Sequence, residues 1–313
     1  MEYDFHIPVL CKEAIELLEI KPNSICIDMT LGRAGHSSKM LEKIPNGYLY
    51  ATDKDNDAIS YSTKKLSGIR NNFKIYHLSF SKLINQLKED GINQADCILF
   101  DIGVSSPQFD DPSRGFSYRF DSKLDMRMNQ EQELTAYKVV NTYSEEELRH
   151  IISYYGEDPN AYKIAKQIVK NRQIQPIETT FQLVDTIKQA LPSFILNKKG
   201  HPAKQTFQAI RYEVNNEIYE LENGLKEAIE FLSVGGHLAI ITFNSLEDKI
   251  VKDIFKSYTT YPSINRNLPP VLNQEPIKYS LITRKPIVPS QEELKNNPRS
   301  EPSKLRVIER IIK

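Results

Sequence analysis

Short apolar segments alternate with amphipathic ones over the first third of the chain. The apolar segments predict β-strands at residues 24–28, 48–52, 73–77 and 96–101. Apolar residues at helical spacing predict helices between them, at residues 9–18, 37–41, 58–66 and 81–86. Strands that alternate with helices form parallel βαβ units, so this pattern predicts a doubly wound α/β sheet.

The strand pattern stops after residue 108, and helical patterns replace it. Ser144 and Glu147 have the spacing of a capping box, and Thr179 and Gln182 predict a second helix start. Further along, the pattern predicts one long helix at 205–232, strands at 237–243 and 279–284, and a helix at 245–255. We therefore expect a discontinuous α/β domain of residues 1–108 and 206–313, with an inserted and mainly helical domain at residues 109–205.

Polar side chains stand where predicted strands end. Asp28, Asp53 and Asp101 close three of them, and Asn244 follows a fourth. In open α/β sheets, ligands bind at the carboxyl ends of the strands. Asp101 begins the run Asp-Ile-Gly-Val-Ser-Ser-Pro-Gln-Phe. An ordinary strand-to-loop turn would explain each of these ends taken alone, but four in one chain predict a binding site.

The loop after Asp28 narrows the choice of ligand. Its small residues Gly32, Ala34 and Gly35 allow the backbone to approach a ligand at a helix start. Asp53 follows Gly32 by 21 residues, near the spacing at which a carboxylate meets ribose hydroxyls. The loop reads G-x-A-G and lacks the third glycine of a dinucleotide fingerprint. It favours S-adenosyl-L-methionine over a nicotinamide cofactor, and a nicotinamide dehydrogenase remains a weaker alternative.

Charge is distributed unevenly along the chain, although the formal net charge of the 313 residues is zero. Residues 161–211 contain nine Lys and Arg residues against Glu178 and Asp185, which is a net charge of +7. A second basic stretch, residues 295–313, has six Lys and Arg residues against two Glu. Such local excess is typical of a surface that faces nucleic-acid phosphates, and a solvated helix face is the alternative.

The cysteines and the N-terminus bear on the compartment. The three cysteines are scattered, without metal-ligand spacing or a disulfide framework, so we expect a reducing cytoplasm and no metal. No segment has the apolar length of a membrane span, and the acidic start of the chain is unlike a signal peptide. These features predict a cytoplasmic protein that does not interact with membranes.

Several motifs, taken together and in order, resemble the bacterial 16S ribosomal RNA cytosine-N4 methyltransferase family, called MraW or RsmH. The resemblance covers almost the full chain. Its motifs are His6-x-Pro-Val-Leu10, Asp28–Ser37, Asp101–Gln108, Arg114-Gly-Phe-Ser117, Leu124-Asp-Met-Arg-Met128, His201-Pro-Ala203, Thr206–Arg211, Gly235-Gly236, Ser245-Leu-Glu-Asp248, Asn297-Pro-Arg-Ser300 and Lys304-Leu-Arg-Val307.

The resemblance implies an activity, a cofactor and partners. The expected reaction is N4-methylation of a cytidine in the decoding centre of 16S rRNA, within the small (30S) ribosomal subunit, with S-adenosyl-L-methionine as methyl donor. The expected fold is a Rossmann-like methyltransferase domain with an inserted helical domain for RNA recognition. A DNA cytosine-N4 methyltransferase would carry Pro-Pro-aromatic where this chain has Ser106-Pro107-Gln108, so DNA is not expected as a substrate. The oligomeric state stays open between monomer and homodimer.

The resemblance also assigns residues. The cofactor contacts carried over by motif position are Ala34, Gly35, His36, Asp53, Phe80, Asp101 and Gln108. The expected catalytic residues, around the target amine, are Asp101, Ser105, Ser106, Pro107 and Asn244. The basic residues expected to bind RNA are Lys163, Lys166, Lys170, Arg172, Lys198, Lys199, Lys204 and Arg211.

The chain departs from the family pattern at a few positions. Ala34 and Asn244 stand where Gly and His are usual, and Lys249 replaces Arg. Residues 156–165 lose their usual basic character, and Gln205 stands where a basic residue is common. Ala34 is tolerable if its φ is negative and costly otherwise. These departures support one alternative, a methyltransferase-like assembly factor that binds rRNA with weak or lost turnover.

Overall fold

The computed structural model describes residues 7–261 and 275–313, so His6 of the first motif lies outside the described residues. The chain divides into two compact units. The first consists of Met1–Gly103 and Tyr219–Lys313, and the second of Val104–Ile218. Residues 109–205, expected as the inserted domain, lie within the second unit, which is longer at both ends.

Within the described residues, seven strands of the first unit form one sheet in the order β3-β2-β1-β4-β5-β7-β6. The strands are β1 (Ile25–Asp28), β2 (Tyr48–Asp53), β3 (Phe73–His77), β4 (Ala95–Asp101), β5 (Leu232–Thr242), β6 (Tyr279–Leu281) and β7 (Lys304–Arg310). Strands β1 to β5 pair in parallel, while β7 is antiparallel to β5 and to β6. The predicted α/β fold is confirmed.

Helices connect these strands and make up most of the regular structure in the second unit. In chain order they are α1 (Cys11–Leu17), α2 (Gly35–Lys43), α3 (Asn56–Ser67), α4 (Phe80–Glu89), α5 (Ser106–Asp110), α6 (Ala136–Thr142), α7 (Glu145–Tyr154), α8 (Ala161–Arg172), α9 (Thr180–Ala190), α10 (Ser193–Leu196), α11 (Lys204–Asn215), α12 (Glu217–Phe231), α13 (Ser245–Thr259) and α14 (Gln291–Asn296). Ser144 and Thr179 form capping boxes at the starts of α7 and α9, as predicted. Among the described residues, no helix combines the length and apolar character that crossing a membrane requires.

Each unit has its own apolar core. In the first, residues of α1 and α2 pack with β1, β2, β4, β5 and β7, and Leu10, Met40 and Leu99 are fully buried. In the second, residues of α6, α7, α8, α9 and α11 pack together, with Val139 and Ile164 fully buried. The apolar runs that predicted β1 and β4 therefore form buried strands, as parallel sheets require.

Two predictions about the later part of the chain are wrong in detail, and one strand was not predicted. The single helix at 205–232 is two helices, because Asn216 has φ 55° and ends α11. Asn adopts this left-handed conformation more readily than most residues, and it breaks the helix there. The strand at 279–284 ends at Leu281, and β7 was not predicted. Two basic residues of β7, Lys304 and Arg306, pair with Asp248 at 3.1 and 2.7 Å, so these charges join β7 to α13.

A polar Arg-Gly-Phe-Ser loop shortly after the Asp101 turn predicts a flexible lid over a ligand, but residues 114–117 are buried. Arg114 donates hydrogen bonds to the carbonyls of Arg127 and Met128 at 3.0 and 3.1 Å. Gly115 has φ 69°, and a Cβ there would lie 2.3 Å from the Lys123 carbonyl oxygen. The guanidinium of Arg127 binds Asp125 at 2.9 and 2.7 Å. These two motifs therefore shape the second unit rather than cover a ligand.

Candidate active site

The carboxyl ends of β2, β1, β4 and β5 lie side by side at one edge of the sheet. Because the four strands are neighbours and parallel, Asp53, Asp28, Asp101 and Asn244 are brought to the same edge. Three of these residues were predicted to bind the cofactor or act in catalysis. The first unit therefore places three of the predicted site residues at one edge of its sheet.

The loop between β1 and α2 reverses the chain tightly at this edge. Gly32 has φ 47° and Ala34 has φ 53°, so both are left-handed. A Cβ at Gly35 would lie 2.8 Å from the Pro8 side chain, so glycine is required for this close contact. Helix α2 has Ala34 as N-cap and no side-chain cap, and it points its first N–H groups at this edge. The geometry suits close approach of a ligand to backbone.

Asp28 holds this loop from inside the protein. Its carboxylate accepts hydrogen bonds from the Thr30 N–H at 3.0 Å and from the Ser37 hydroxyl at 2.6 Å. Burial raises the pKa of Asp28, and the hydrogen bond from Ser37 opposes that change. With both oxygens engaged by the loop and only 1% of the residue exposed, Asp28 serves as a structural residue.

Asp53 lies in a cradle of backbone N–H groups. Its carboxylate accepts from Gly32 at 2.8 Å and from Asp55 at 2.9 Å. Burial raises the pKa of Asp53 to about 6, against the effect of these hydrogen bonds. A carboxylate oxygen has two lone pairs, so both oxygens keep capacity to accept from ligand hydroxyls. This placement suits the predicted contact with ribose.

Asp101 ends β4 with one unsatisfied oxygen. Its N–H donates to the Thr30 hydroxyl at 2.6 Å, and its Oδ2 lies 3.5 Å from Nδ1 of His36. Oδ1 is buried and has no hydrogen-bond partner among the described residues. Burial raises the pKa of Asp101 to about 8, with further contributions from the charges of Asp28 and Glu247. A buried carboxylate oxygen without a partner can contact a cation or accept a hydrogen bond from an N–H group of a ligand.

Asn244 caps α13 at the end of β5. Its side-chain oxygen accepts from the Glu247 N–H at 3.0 Å, while the Glu247 carboxylate accepts from the Phe243 N–H at 2.8 Å. Ser245 is the first helical residue, as predicted for a helix that begins at residue 245. A Cβ on Gly103 would lie 3.7 Å from the Phe243 ring. The residues that follow β4 and β5 therefore lie close together.

Phe80 begins α4 beside β3. Its ring contacts Phe100 edge-on, with centroids 5.5 Å apart. A Cβ at Gly224 would lie 2.7 Å from the Phe80 ring, so helix α12 packs tightly against it. Glu220 on α12 forms an ion pair of 3.5 Å with Lys54, which follows β2, and it accepts from the Ser81 N–H at 3.3 Å. Phe80 is therefore a half-buried, well-held apolar surface, as a contact with a purine base requires.

The predicted residues Ser105, Ser106, Pro107 and Gln108 belong to the second unit and form the first turn of α5. Ser105 and Gln108 make a capping box, in which the Ser105 N–H donates to Gln108 at 3.1 Å. Gln108 is 7% exposed, so its side chain has a clear role in holding this turn. In sequence the turn begins four residues after Asp101.

The eight predicted RNA-binding residues fall into two groups in the second unit. Arg172 donates to the carbonyls of Val140 and Tyr143 at 2.7 and 2.5 Å. Arg211 binds Glu217 through two hydrogen bonds of 2.7 and 3.0 Å. Both arginines are thus engaged within the unit. The six lysines are exposed, and they are Lys163, Lys166, Lys170, Lys198, Lys199 and Lys204.

Sequence reasoning missed two residues that shape this site. Thr30 accepts from the Asp101 N–H and so joins the ends of β1 and β4. Glu247 is 3% exposed, and its carboxylate accepts from the N–H of Phe243, the residue that follows β5. The signal for Glu247 was present, since Asn244 and Glu247 have the spacing of a helix cap and its third residue. Thr30 carried no comparable signal.

Comparison with known proteins identifies a family that matches almost the whole chain. The sequence profile of the MraW methylase family matches residues 4–311. A Ribosomal RNA small subunit methyltransferase H from Fusobacterium nucleatum is 50% identical over 98% of this chain and 98% of its own. A relative from Mesoplasma florum with the same description is 49% identical over 97% of this chain and 99% of its own.

Among solved structures, the chain resembles a putative rRNA-methylase from Clostridium thermocellum. The TM-score is 0.45 and the identity 11%, over 96% of this chain and 95% of that one. The family match confirms the predicted family, and with it the predicted methyltransferase class and the cofactor S-adenosyl-L-methionine. The chain belongs to the MraW methylase family.

Proposed function

We propose that this protein methylates the exocyclic N4 of a cytidine in the decoding centre of 16S rRNA, within the small ribosomal subunit in the cytoplasm. The observation that carries the proposal is the identity of 50% over 98% of the chain with a relative described as Ribosomal RNA small subunit methyltransferase H. The sequence motifs from Asp101 to Gln108 support the choice of a cytosine amine.

The first unit is the proposed cofactor site. Asp53 binds the ribose hydroxyls, Phe80 covers the adenine, and Ala34, Gly35 and His36 line the loop. The residues present fit this assignment, since the loop offers close backbone approach and Asp101 Oδ1 is a buried acceptor without a partner. When bound, the cofactor supplies a methyl group activated by a sulfonium.

The target amine needs orientation more than a strong base. Its lone pair is conjugated into the cytosine ring, so hydrogen bonds that favour a more pyramidal nitrogen raise its nucleophilicity. Asp101 and the turn Ser105-Ser106-Pro107 are the proposed acceptors for the amine N–H groups. Correct alignment with the methyl group can supply much of the remaining acceleration. Asn244 is the proposed fourth member, and Gln108 supports the turn.

The proposed RNA interface is the part of the second unit that corresponds to residues 109–205. Helix α8 contains no acidic residue, and its exposed Lys163, Lys166 and Lys170 fall within roughly 60° of the helix circumference. Exposed Tyr162 lies on the same side and can stack on a base. We assign phosphate contacts to these lysines and to Lys198, Lys199 and Lys204, and a structural role to Arg172 and Arg211.

The test is methyl transfer from labelled S-adenosyl-L-methionine to three acceptors: small subunits that lack native methylation, naked 16S RNA and duplex DNA. Mass spectrometry then maps the modified nucleotide. We expect N4-methylcytidine at one decoding-centre position, on small subunits, and loss of transfer in Asp101→Ala and Ser106→Ala. Full turnover in both variants would contradict the assignment. Cofactor binding without transfer to any acceptor would favour the assembly-factor alternative.

A further inference from the structure

The tautomer of His36 is set by a backbone carbonyl. Its Nε2 lies 3.0 Å from the carbonyl oxygen of Val9, and a carbonyl oxygen can only accept a hydrogen bond. Nε2 therefore carries the proton. His36 is 4% exposed, so its ring cannot exchange this partner for water without opening the core.

The other ring nitrogen faces an acid. Nδ1 of His36 lies 3.5 Å from Oδ2 of Asp101. With the proton on Nε2, Nδ1 of a neutral imidazole is an acceptor, and an ionised Asp101 would place a second acceptor opposite it. One additional proton removes this conflict. The pair is then either imidazolium with carboxylate or imidazole with carboxylic acid, and both forms carry the same net charge.

The neighbours of the pair favour retention of that proton. The acidic groups that act on Asp101 are Asp28 on β1 and Glu247 on α13. Cys11 of α1 is also close. Burial is the main cause that raises the pKa of its thiol, Lys39 opposes the rise, and the charge of Asp101 adds to it. Thr30, which binds the Asp101 N–H, is neutral. In accord with this, the pKa of Asp101 is raised to about 8, chiefly by burial.

We propose that the His36–Asp101 pair holds one proton in the free protein and releases it to solvent when the cationic cofactor binds. The inference rests on the proposed cofactor site, which places Asp101 near the transferred methyl group and hence near the sulfonium. The positive charge of the cofactor takes the place of the proton beside Asp101. His36 is thus a positioning residue that acts through the charge of Asp101.

This exchange would discriminate the methyl donor from the product. S-Adenosylhomocysteine is a neutral thioether at sulfur, so it replaces no proton at that point. Below the pKa of the pair, affinity for the donor should rise about tenfold for each unit by which the pH increases, because one released proton corresponds to a slope of one. Affinity for the product should change much less over the same range. The protein would therefore favour the donor over the product more strongly at higher pH.

Titration calorimetry of the full-length protein measures the released proton directly. Binding of S-adenosyl-L-methionine and of S-adenosylhomocysteine is measured near pH 7 in two buffers of different ionisation enthalpy. We expect close to one proton released for the donor and close to none for the product. The decisive variant is His36→Gln, which keeps a donor for Val9 but cannot titrate, and it should change the proton count.

A matched control is His237→Gln. His237 is also buried, at 5% exposed, and its Nδ1 lies 2.6 Å from the Leu17 carbonyl, away from the strand ends. This control should leave the proton count unchanged. Equal proton release for donor and product, or none for either in the unmodified protein, would overturn the inference. Methyl transfer assayed in parallel separates that failure from a failure of the proposed function, since activity would persist without the proton exchange.

Discussion

Asn244→Ala should lower the free energy of unfolding without unfolding the protein. Asn244 accepts from the Glu247 N–H at 3.0 Å, and Glu247 is almost fully buried at 3% exposed. Removing the acceptor leaves that N–H near the helix start without its side-chain partner. The Glu247 carboxylate keeps its hydrogen bond from Phe243, so the end of β5 stays connected to α13.

The size of the effect follows from that single lost cap. Replacing a capping side chain with alanine costs about 1 kcal/mol, in a range of about 0.5–2 kcal/mol. Each kcal/mol corresponds to a fall of about 2–4 °C in the melting temperature of a protein of this size class. Asn244→Ser retains an acceptor of cap geometry, so we expect it to stay within about 0.5 kcal/mol of the original.

Urea unfolding of the two variants, beside Ser144→Ala, tests this reasoning. Ser144 caps α7 in the second unit through a hydrogen bond of 3.2 Å to the Glu147 N–H, so it controls for the loss of a cap elsewhere. If Asn244 also has a chemical role, Asn244→Ser will lose methyl transfer while it keeps its stability. Equal destabilisation by the serine and alanine variants, or no effect of either, would refute the capping argument.

Three further predictions follow from other residues. Gly115→Ala should destabilise the protein by at least about 3 kcal/mol in urea unfolding, because a Cβ at φ 69° would lie 2.3 Å from the Lys123 carbonyl oxygen; a stable variant would contradict the geometry. Folding raises the pKa of Asp101 from its ordinary 3.8 to about 8, so the folded protein binds more protons than the unfolded chain across that window. The free energy of unfolding should therefore fall as pH rises from about 4 to about 8, and Asp101→Asn should flatten this fall, which unfolding at about pH 5 and about pH 8 can detect. Lys166→Ala and Lys170→Ala should weaken RNA binding and each reduce the slope of log affinity against log salt by about 0.7–0.9, as measured in a filter-binding titration; an unchanged slope would remove α8 from the interface.

The sequence predicts the centre of the sheet well because each buried strand there is a short apolar run that ends in a carboxylate. The runs ending at Asp28, Asp53 and Asp101 carry both the strand and its site residue in one pattern. The break at Asn216 has no such signal, since apolar residues continue at helical spacing on both sides of it. Only the left-handed backbone of that single residue separates α11 from α12.

The loop at residues 114–117 shows why a polar sequence can mislead. Arg and Ser beside Gly are typical of an exposed turn, yet Arg114 is buried because two backbone carbonyls receive its guanidinium. Those acceptors come from residues 127 and 128, more than ten positions away. β7 presents the opposite case. Leu305 and Val307 alternate with basic residues, which is a strand signal. The same basic residues also fit a surface that faces nucleic-acid phosphates, and that second pattern was the one predicted.

Backbone strain at the candidate site answers a question that the sequence left open at Ala34. Its φ of 53° is left-handed, a conformation that costs roughly 1–2 kcal/mol for a residue with a Cβ. Leu10, next to the carbonyl that binds His36, has φ 49°, and both residues are fully buried. Such strain persists only where surrounding structure over-determines it. Packing in the core and the hydrogen bond from Leu10 N–H to Glu293 provide that constraint. Leu10 adjoins Val9, whose carbonyl binds His36, and Ala34 is two residues before His36. The left-handed backbone therefore costs local stability at the residues that hold the His36–Asp101 pair in place.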